Sequence, residues 1–511
     1  MKNLFNAIHY YSENKPLSEA IVTEEKVVNY AELYKFIIAL QTELTELNIH
    51  KLGIYAENSI EWVLVDLAAT LANITVVPIP LFFTQNQIEH LIEDSQINFI
   101  FTSEKQNPLI IKFLNNTYDQ IGQLKEIDSK IISGQFIQLS NTTEKISEIV
   151  PAKITYTSGS TGSPKGVCLA KDTISSITES LSNALRSSQL QRHLCLIPFA
   201  TLLENIAGIY VALQMGRSIV VGEVNKFGLV SNHEFDVKKF AATVNHYQIQ
   251  SVILLPQMLK AIVEYVRITG SAELVSLKFI AVGGGKVAPD LLIQCQQFNL
   301  PVYEGYGLSE CASVVSLNVP EARKIGSVGQ PLPHVDVHIS EQGEVLVRGN
   351  AMQGYLNESI VDNLIHTGDA GFIDDDGYLF ITGRIKQIIV SSFGRNISPE
   401  WVESNSLNEP EINQIAIFGE AQPYLAAVVY AKDFIHDDEI EQAIEKANTR
   451  LPDYAHIKHW CRSTEPFSLE NNMLTDNGKL RRNEIKQQFN AFLFPDDYSF
   501  QIRNLSITSN D

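Results

Sequence analysis

Lys153-Ile-Thr-Tyr-Thr-Ser-Gly-Ser-Thr-Gly-Ser-Pro-Lys-Gly166 is the stretch on which the reading of this chain turns. Its opening, KITYT, is β-branched and aromatic and predicts a buried strand. The run from Thr157 to Gly166 then combines three glycines with several hydroxyls and a cation, Lys165. Glycines let a backbone turn tightly and present its N–H groups inward, and with the hydroxyls and the ammonium this suits a polyphosphate. The alternatives are a flexible Ser/Gly surface loop or a variant of the Walker loop. Walker spacing fails, because no Gly-Lys-Ser/Thr follows a glycine at the required distance. Thr157, Ser158, Gly159, Ser160, Thr161, Gly162 and Lys165 are therefore the candidate phosphate ligands.

Working outward, short β-rich runs alternate with amphipathic stretches over the first 310 or so residues. LGIYA (52–56), ITVVPI (74–79), INFIFT (97–102), HLCLI (193–197), SIVVG (218–222), SVILL (251–255), KFIAV (278–282) and VYEGY (302–306) predict buried strands. Helical patterns lie between several of them: one opening at Asn58 with Glu61 three residues on, Leu203–Met215, and Asp236–Tyr247. This alternation predicts an α/β fold on a mostly parallel sheet covered on both faces. Residues 104–150 are polar and weakly patterned and predict a loop-rich connection. After Ser316, HVDVHIS, GEVLVRG and GYLFITG alternate and are bounded by glycine, predicting a small antiparallel β region. From about Ile385 onward, short strands and a helix near Asp437–Arg450 predict a compact α+β unit.

The whole chain has 511 residues and a formal net charge of −20, which argues against a nucleic-acid partner or an anionic lipid surface. Five scattered cysteines in no CxxC spacing predict a reducing compartment, hence the cytoplasm. The start lacks the pattern of a secretory signal. The most apolar window, Trp62 to Phe83, contains Asp66, Asn73, Pro78 and Pro80. It predicts a buried helix followed by a strand, not a membrane span, so any membrane contact would be peripheral.

Tyr156-Thr-Ser-Gly-Ser-Thr-Gly-x-Pro-Lys-Gly-Val167 resembles the phosphate-loop signature of the acyl-adenylate-forming superfamily, which holds acyl-CoA synthetases, luciferases and adenylation domains. Four further stretches resemble its other motifs, in the same order: Tyr303-Glu-Gly-Tyr-Gly-Leu-Ser-Glu310, His366-Thr-Gly-Asp369, Gly383-Arg-Ile-Lys386 and Leu474-Thr-Asp-Asn-Gly-Lys479. The resemblance implies an N-terminal domain over 1–384, built of two α/β subdomains and a small β-barrel. It also implies a mobile lid domain over 385–511, hinged near Lys386.

It further implies roles. Glu304, Gly305, Tyr306 and Gly307 would line the nucleotide, with the purine on the ring of Tyr306. Ser309 would meet the α-phosphate and Glu310 would hold Mg²⁺. Asp369 would accept both ribose hydroxyls, with Arg384 beside it. Gly283, Gly284 and Gly285, in VGGGKV, would approach the purine, and Gly284 with Thr201 would border the acyl pocket. Lys479 would stand between the two anions that adenylation brings together. Gly394 would line the tunnel of the incoming thiol, and Ser398-Pro399 would start the next helix.

Two departures from the pattern stand out. Thr201 occupies a position where histidine is frequent, and Gln387 follows the hinge lysine where aspartate is common. Amino acids are disfavoured as substrates, because Ala200 offers no charge to an ammonium. His334 with His338, and His456 with His459, lack further ligands at metal spacing, and Cys168 lacks a histidine partner in any recognised motif. The function implied is activation of a small-molecule carboxylic acid by ATP and Mg²⁺, then thioester formation with coenzyme A. The VGGGKVAPDLL and ISPEWVE stretches look most like bacterial fatty acyl-CoA synthetases, which points to a medium- or long-chain fatty acid. The alternatives are loading onto the phosphopantetheine of an acyl carrier protein, or a silent nucleotide-binding regulator.

Overall fold

A computed structural model describes residues 1–106, 108, 110–112, 114, 121–125, 132–139, 150–157, 164–231, 234–270, 272–358, 363–390, 396–475 and 478–494. Of residues 121–125, 386, 390, 396 and 491 only the backbone is described. The chain divides into two compact units, Met1–Ile381 and Thr382–Asp511.

Among the described residues the first unit holds two large sheets. One, of eight strands, runs in the order Gly354–Tyr355, Lys165–Leu169, Lys153–Thr157, Thr75–Pro78, Lys51–Tyr55, Phe99–Thr102, Gln135–Leu139, Ile121–Lys125. Its four central strands are parallel, the signature of crossover helices. The other, of nine strands, has a parallel centre made of Arg192–Leu194, Ser218–Val220, Ser251–Leu254, Phe279–Val282 and Val302–Tyr306. Both sheets close with antiparallel edges. The third β region, Val335–Ile339, Glu344–Gly349, Leu364–Ile373 and Leu379–Arg384, is a four-stranded antiparallel half-barrel.

Helix Ile60–Leu71 is buried along almost its whole length, and its core cluster draws on strands of both large sheets. A helix apolar on all faces needs apolar surface on all sides. The expected cap at Asn58 is off by one residue. Ser59 caps the helix by accepting from Trp62 N, while buried Asn58 bonds Ile197 O at 2.9 Å and accepts from Phe199 N at 2.8 Å. Asn58 thus fixes the turn before Thr201.

Two further expectations are corrected. Residues 104–150 are not only a connection, because Ile121–Lys125 and Gln135–Leu139 add two antiparallel strands to the sheet edge. Their short length and polar residues hid them. The helix read over Leu203–Met215 is a π-helix from Leu203 to Tyr210 and an α-helix only over Val211–Gln214. A π segment keeps the apolar spacing broadly helical, so its sequence gives little warning, and such segments recur at functional sites.

The second unit carries a three-stranded sheet, Gln414–Phe418, Leu425–Tyr430 and Ile457–Arg462, with helices Pro399–Ser406, Asp437–Asn448 and Arg482–Leu493. The first of these helices starts at Pro399 and is capped by Ser398, whose hydroxyl accepts from Trp401 N. Glu403 and Arg482 form a largely buried bidentate pair that ties this helix to the last one. Among the described residues no helix is long and apolar enough to cross a membrane.

Candidate active site

Strands Lys153–Thr157 and Lys165–Leu169 pair in antiparallel register, with Thr157 opposite Lys165 and Tyr156 opposite Gly166. Between them residues 158–163, including the predicted Ser158, Gly159, Ser160, Thr161 and Gly162, lie outside the described residues. Lys165 is about half exposed. Its Nζ reaches Glu358 at 2.8 Å and stands 5.0 Å from the ring centroid of Tyr355. Tyr355 lies on the strand paired with Lys165–Leu169, and its hydroxyl donates to Glu310 Oε1 at 2.8 Å. Burial, with Glu310 close by, holds that phenol above its ordinary pKa. Tyr355 therefore bridges the predicted phosphate lysine and the predicted metal carboxylate.

Glu310 sits on the short turn Ser309–Cys311 that follows strand Val302–Tyr306. Its own carbonyl accepts from Met352 N at 2.6 Å. Gly307 begins this turn under strict constraint: a Cβ there would lie 1.5 Å from Ser313 O, so no side chain fits. Tyr306 precedes it, and its hydroxyl donates to Asp369 Oδ2 at 2.5 Å. Asp369 is buried and held by its backbone. Its N–H donates to the Thr367 hydroxyl at 3.0 Å, that hydroxyl donates to Val345 O, and Gly368 takes the left-handed φ of +69° between them. The predicted purine and ribose residues are thus in direct contact.

Gly283, Gly284 and Gly285 end strand Phe279–Val282. A Cβ on Gly283 would stand 3.5 Å from Gly305 O and 3.9 Å from Leu203 Cδ2, so this corner lies between the Tyr306 strand and the π-helix. Gly284 has φ +78° and faces Leu255. Thr201 lies two residues before the π-helix, with its hydroxyl bonded to Pro198 O at 2.7 Å and its carbonyl accepting from Asn205 N. Behind it Glu204 is fully buried, bonded to His193 Nε2 at 2.8 Å and accepting from Leu196 N and Ile197 N. Together with Cys195, these two make the one His/Cys/Asp/Glu cluster of metal-ligand proximity found among the described residues. Glu204 is already satisfied by three donors, which makes the cluster a packing network. Of the histidines singled out from the sequence, His338 bonds Asp336, while His334, His456 and His459 bond backbone carbonyls.

Glu304 is buried, and burial pushes its carboxyl up to about 8 despite the N–H of Gly326 and the nearby cations Lys286 and Arg323. The Cys168 thiol, on the second strand of the hairpin, is pushed up by burial to about 11, which disfavours the nucleophilic thiolate at neutral pH.

Arg384, Lys386 and Lys479 belong to the second unit. Arg384 is exposed, and its backbone N–H meets the Glu400 carboxylate. Lys386 lies in the turn Ile385–Gln387, and Gly394 falls outside the described residues. Lys479 is exposed on a tight turn in which Thr475 N donates to Lys479 O at 2.7 Å and Gly478 takes φ +71°.

Sequence reasoning missed Tyr355 and Glu358. Both sit in a Gly-Tyr-Leu-Asn-Glu turn (354–358) whose Asn357 adopts the left-handed φ of 63°, a turn signature that was available in the sequence.

A profile of the AMP-binding enzyme family matches residues 9–356, and one of the AMP-binding enzyme C-terminal domain matches residues 386–493. A 2-succinylbenzoate–CoA ligase from Staphylococcus epidermidis is 26% identical over 485 residues, covering 92% of this chain and 94% of its own. A long-chain-fatty-acid–CoA ligase from Mycobacterium bovis is 24% identical over 523 residues, covering 85% and 86%. The solved O-succinylbenzoate coenzyme A synthetase from Bacillus subtilis, in complex with ATP and magnesium ion, superposes with a TM-score of 0.71 at 22% identity, over 94% of this chain and 99% of that one.

Proposed function

The chain belongs to the AMP-binding enzyme family, and from that premise we propose that it is an ATP-dependent carboxylate–CoA ligase that works through an acyl-adenylate. The observation that carries this reading is one continuous run, Tyr306 to Glu310. Its first residue bonds Asp369, and its last shares Tyr355 with Lys165. A nucleoside and its phosphates need those two groups of contacts side by side.

In this reading the ring of Tyr306 offers a π-face to the purine, and Asp369 accepts from the ribose. Lys165 exchanges Glu358, an exposed and weakly held partner, for phosphate oxygens. Glu310 suits Mg²⁺, a hard ion that takes one carboxylate when phosphates fill its other positions. When bound, that ion neutralises charge on the phosphates. Ser309 meets the α-phosphate, and Lys479 brings an ammonium between carboxylate and phosphate. The carboxylate oxygen bonds to the α-phosphorus as the bond to pyrophosphate breaks. A thiol sulfur then bonds to the acyl carbon, loses its proton, and AMP leaves with the acyl oxygen. The second step, with Lys386 as hinge between residues 1–384 and 385–511 and Gly394 along the thiol path, is proposed on the motif resemblance.

Coenzyme A is favoured over a carrier protein as acceptor, since both relatives named above are CoA ligases. 2-Succinylbenzoate–CoA ligases recur among the similar relatives, beside the one fatty-acid ligase named above, so they favour an aromatic carboxylic acid over the fatty acid expected from the sequence. Leu203 beside Gly283 and Leu255 beside Gly284 support an acid with an apolar body. Five free cysteines suit a reducing cytoplasm. The test incubates the full chain with Mg·ATP, with or without CoA, and a panel running from 2-succinylbenzoate to medium- and long-chain fatty acids. Acid-dependent pyrophosphate release, with thioester only when CoA is present, is expected. ATP binding with no release for any acid would favour a silent regulator.

A further inference from the structure

Helix Gln85–Ser95 carries no recognised motif, yet two of its side chains reach the hairpin that frames the phosphate loop. Asp94 Oδ2 accepts from the Tyr156 hydroxyl at 2.8 Å, and Asp94 Oδ1 accepts from Asn357 Nδ2 at 2.8 Å. His90, one turn earlier, places Nε2 2.9 Å from Pro164 O and sets its ring edge-on to Tyr156 at 6.4 Å. A carbonyl only accepts, so this histidine nitrogen is the protonated one. Tyr156 and Pro164 stand on the two sides of the loop. Asn357 lies between Tyr355, which holds Glu310, and Glu358, which holds Lys165.

We propose that Asp94 and His90 are positioning residues for the triphosphate subsite: together they tie both ends of the phosphate-loop hairpin to the turn that presents Tyr355 and Glu358. The proposal rests on the adenylation reading. The aspartate makes two charge-assisted hydrogen bonds to segments some 200 residues apart in sequence. The strand pairing of Gly354–Tyr355 with Lys165–Leu169 sets their separation, and a carboxylate with an oxygen on each segment braces the Asn357 end of it, on whose alignment the phosphate contacts of Lys165 and Glu310 depend. The nucleoside contacts do not. Tyr306 and Asp369 are held from the other side, by Thr367 and Val345.

That difference makes the proposal testable by ligand. Mg·ATP and AMP are titrated calorimetrically into the full chain and into Asp94→Ala, His90→Ala, Tyr156→Phe and Asn357→Gly, with thermal unfolding followed alongside. Glycine at 357 removes the side chain but keeps the left-handed backbone, so this exposed position carries the test if Asp94→Ala does not fold. Asp94→Ala is expected to weaken ATP about 10-fold and each single-bond variant about 3-fold, while AMP stays within about 2-fold. Unchanged ATP affinity in Asp94→Ala and Asn357→Gly, or equal losses of ATP and AMP, overturns the proposal and leaves the helix a structural brace. Wild-type protein that binds neither nucleotide overturns the adenylation reading itself.

Discussion

Two lysines on one hairpin show how differently the same side chain is used. Lys153 begins the first strand and is fully buried. Its Nζ lies 2.8 Å from Asp66 Oδ1, 3.1 Å from the Tyr210 hydroxyl and against Asn205 Oδ1, with the rings of Trp62 and Tyr210 over it. Asp66 is closed in turn by Tyr210 and Asn205, which both donate to its second oxygen. Burial lowers the pKa of Lys153 while Asp66 raises it again. Lys165, across the hairpin and at its other end, is about half exposed and meets a glutamate that is equally exposed. The first lysine has no vacancy for a ligand. The second holds a partner that a phosphate can displace. Charge in this acidic chain is thus spent twice, once to join strand Lys153–Thr157 to the π-helix and once to meet a substrate.

The largest effect is expected where the charge is sealed. Lys153→Met leaves Asp66 buried and uncompensated, and should lower stability by about 3–5 kcal/mol. The double variant Lys153→Met/Asp66→Leu should recover most of this. Denaturant unfolding measures both, and a single variant as stable as the parent would break the comparison. Lys165→Ala should leave unfolding nearly unchanged but lower kcat/KM for ATP about 100-fold, as removal of one transition-state donor does. A comparable loss of stability would instead make Lys165 structural. Glu358→Ala is the smallest change, worth no more than about 1 kcal/mol because both partners are exposed. It sharpens the contrast if ATP binding is retained.

The sequence showed the strand Lys153–Thr157, a mostly parallel sheet and the motif residues, because each is a local pattern of period, glycine or hydroxyl, but not that Lys165–Leu169 returns as the second strand of a hairpin. It did not show what those residues lean on. Asp94 and Asn357 are distant in the chain, and each reads alone as an ordinary polar surface residue. Ser59 took the cap from Asn58 because Asn58 had a tertiary use, bonding the turn before Thr201. The π-helix at Leu203–Tyr210 bonds Lys153 and Asp66 and reaches toward Gly283, none of which is local to it.

The central claim, attack of a carboxylate oxygen on the α-phosphorus, is tested most directly by isotope transfer. The full chain turns over a heavy-oxygen-labelled acid, one that the panel has shown to be accepted, with Mg·ATP and CoA, and the phosphates are analysed by mass spectrometry. One labelled oxygen is expected in AMP and none in pyrophosphate. Label in inorganic phosphate together with ADP, or unlabelled AMP alongside thioester, would contradict the claim.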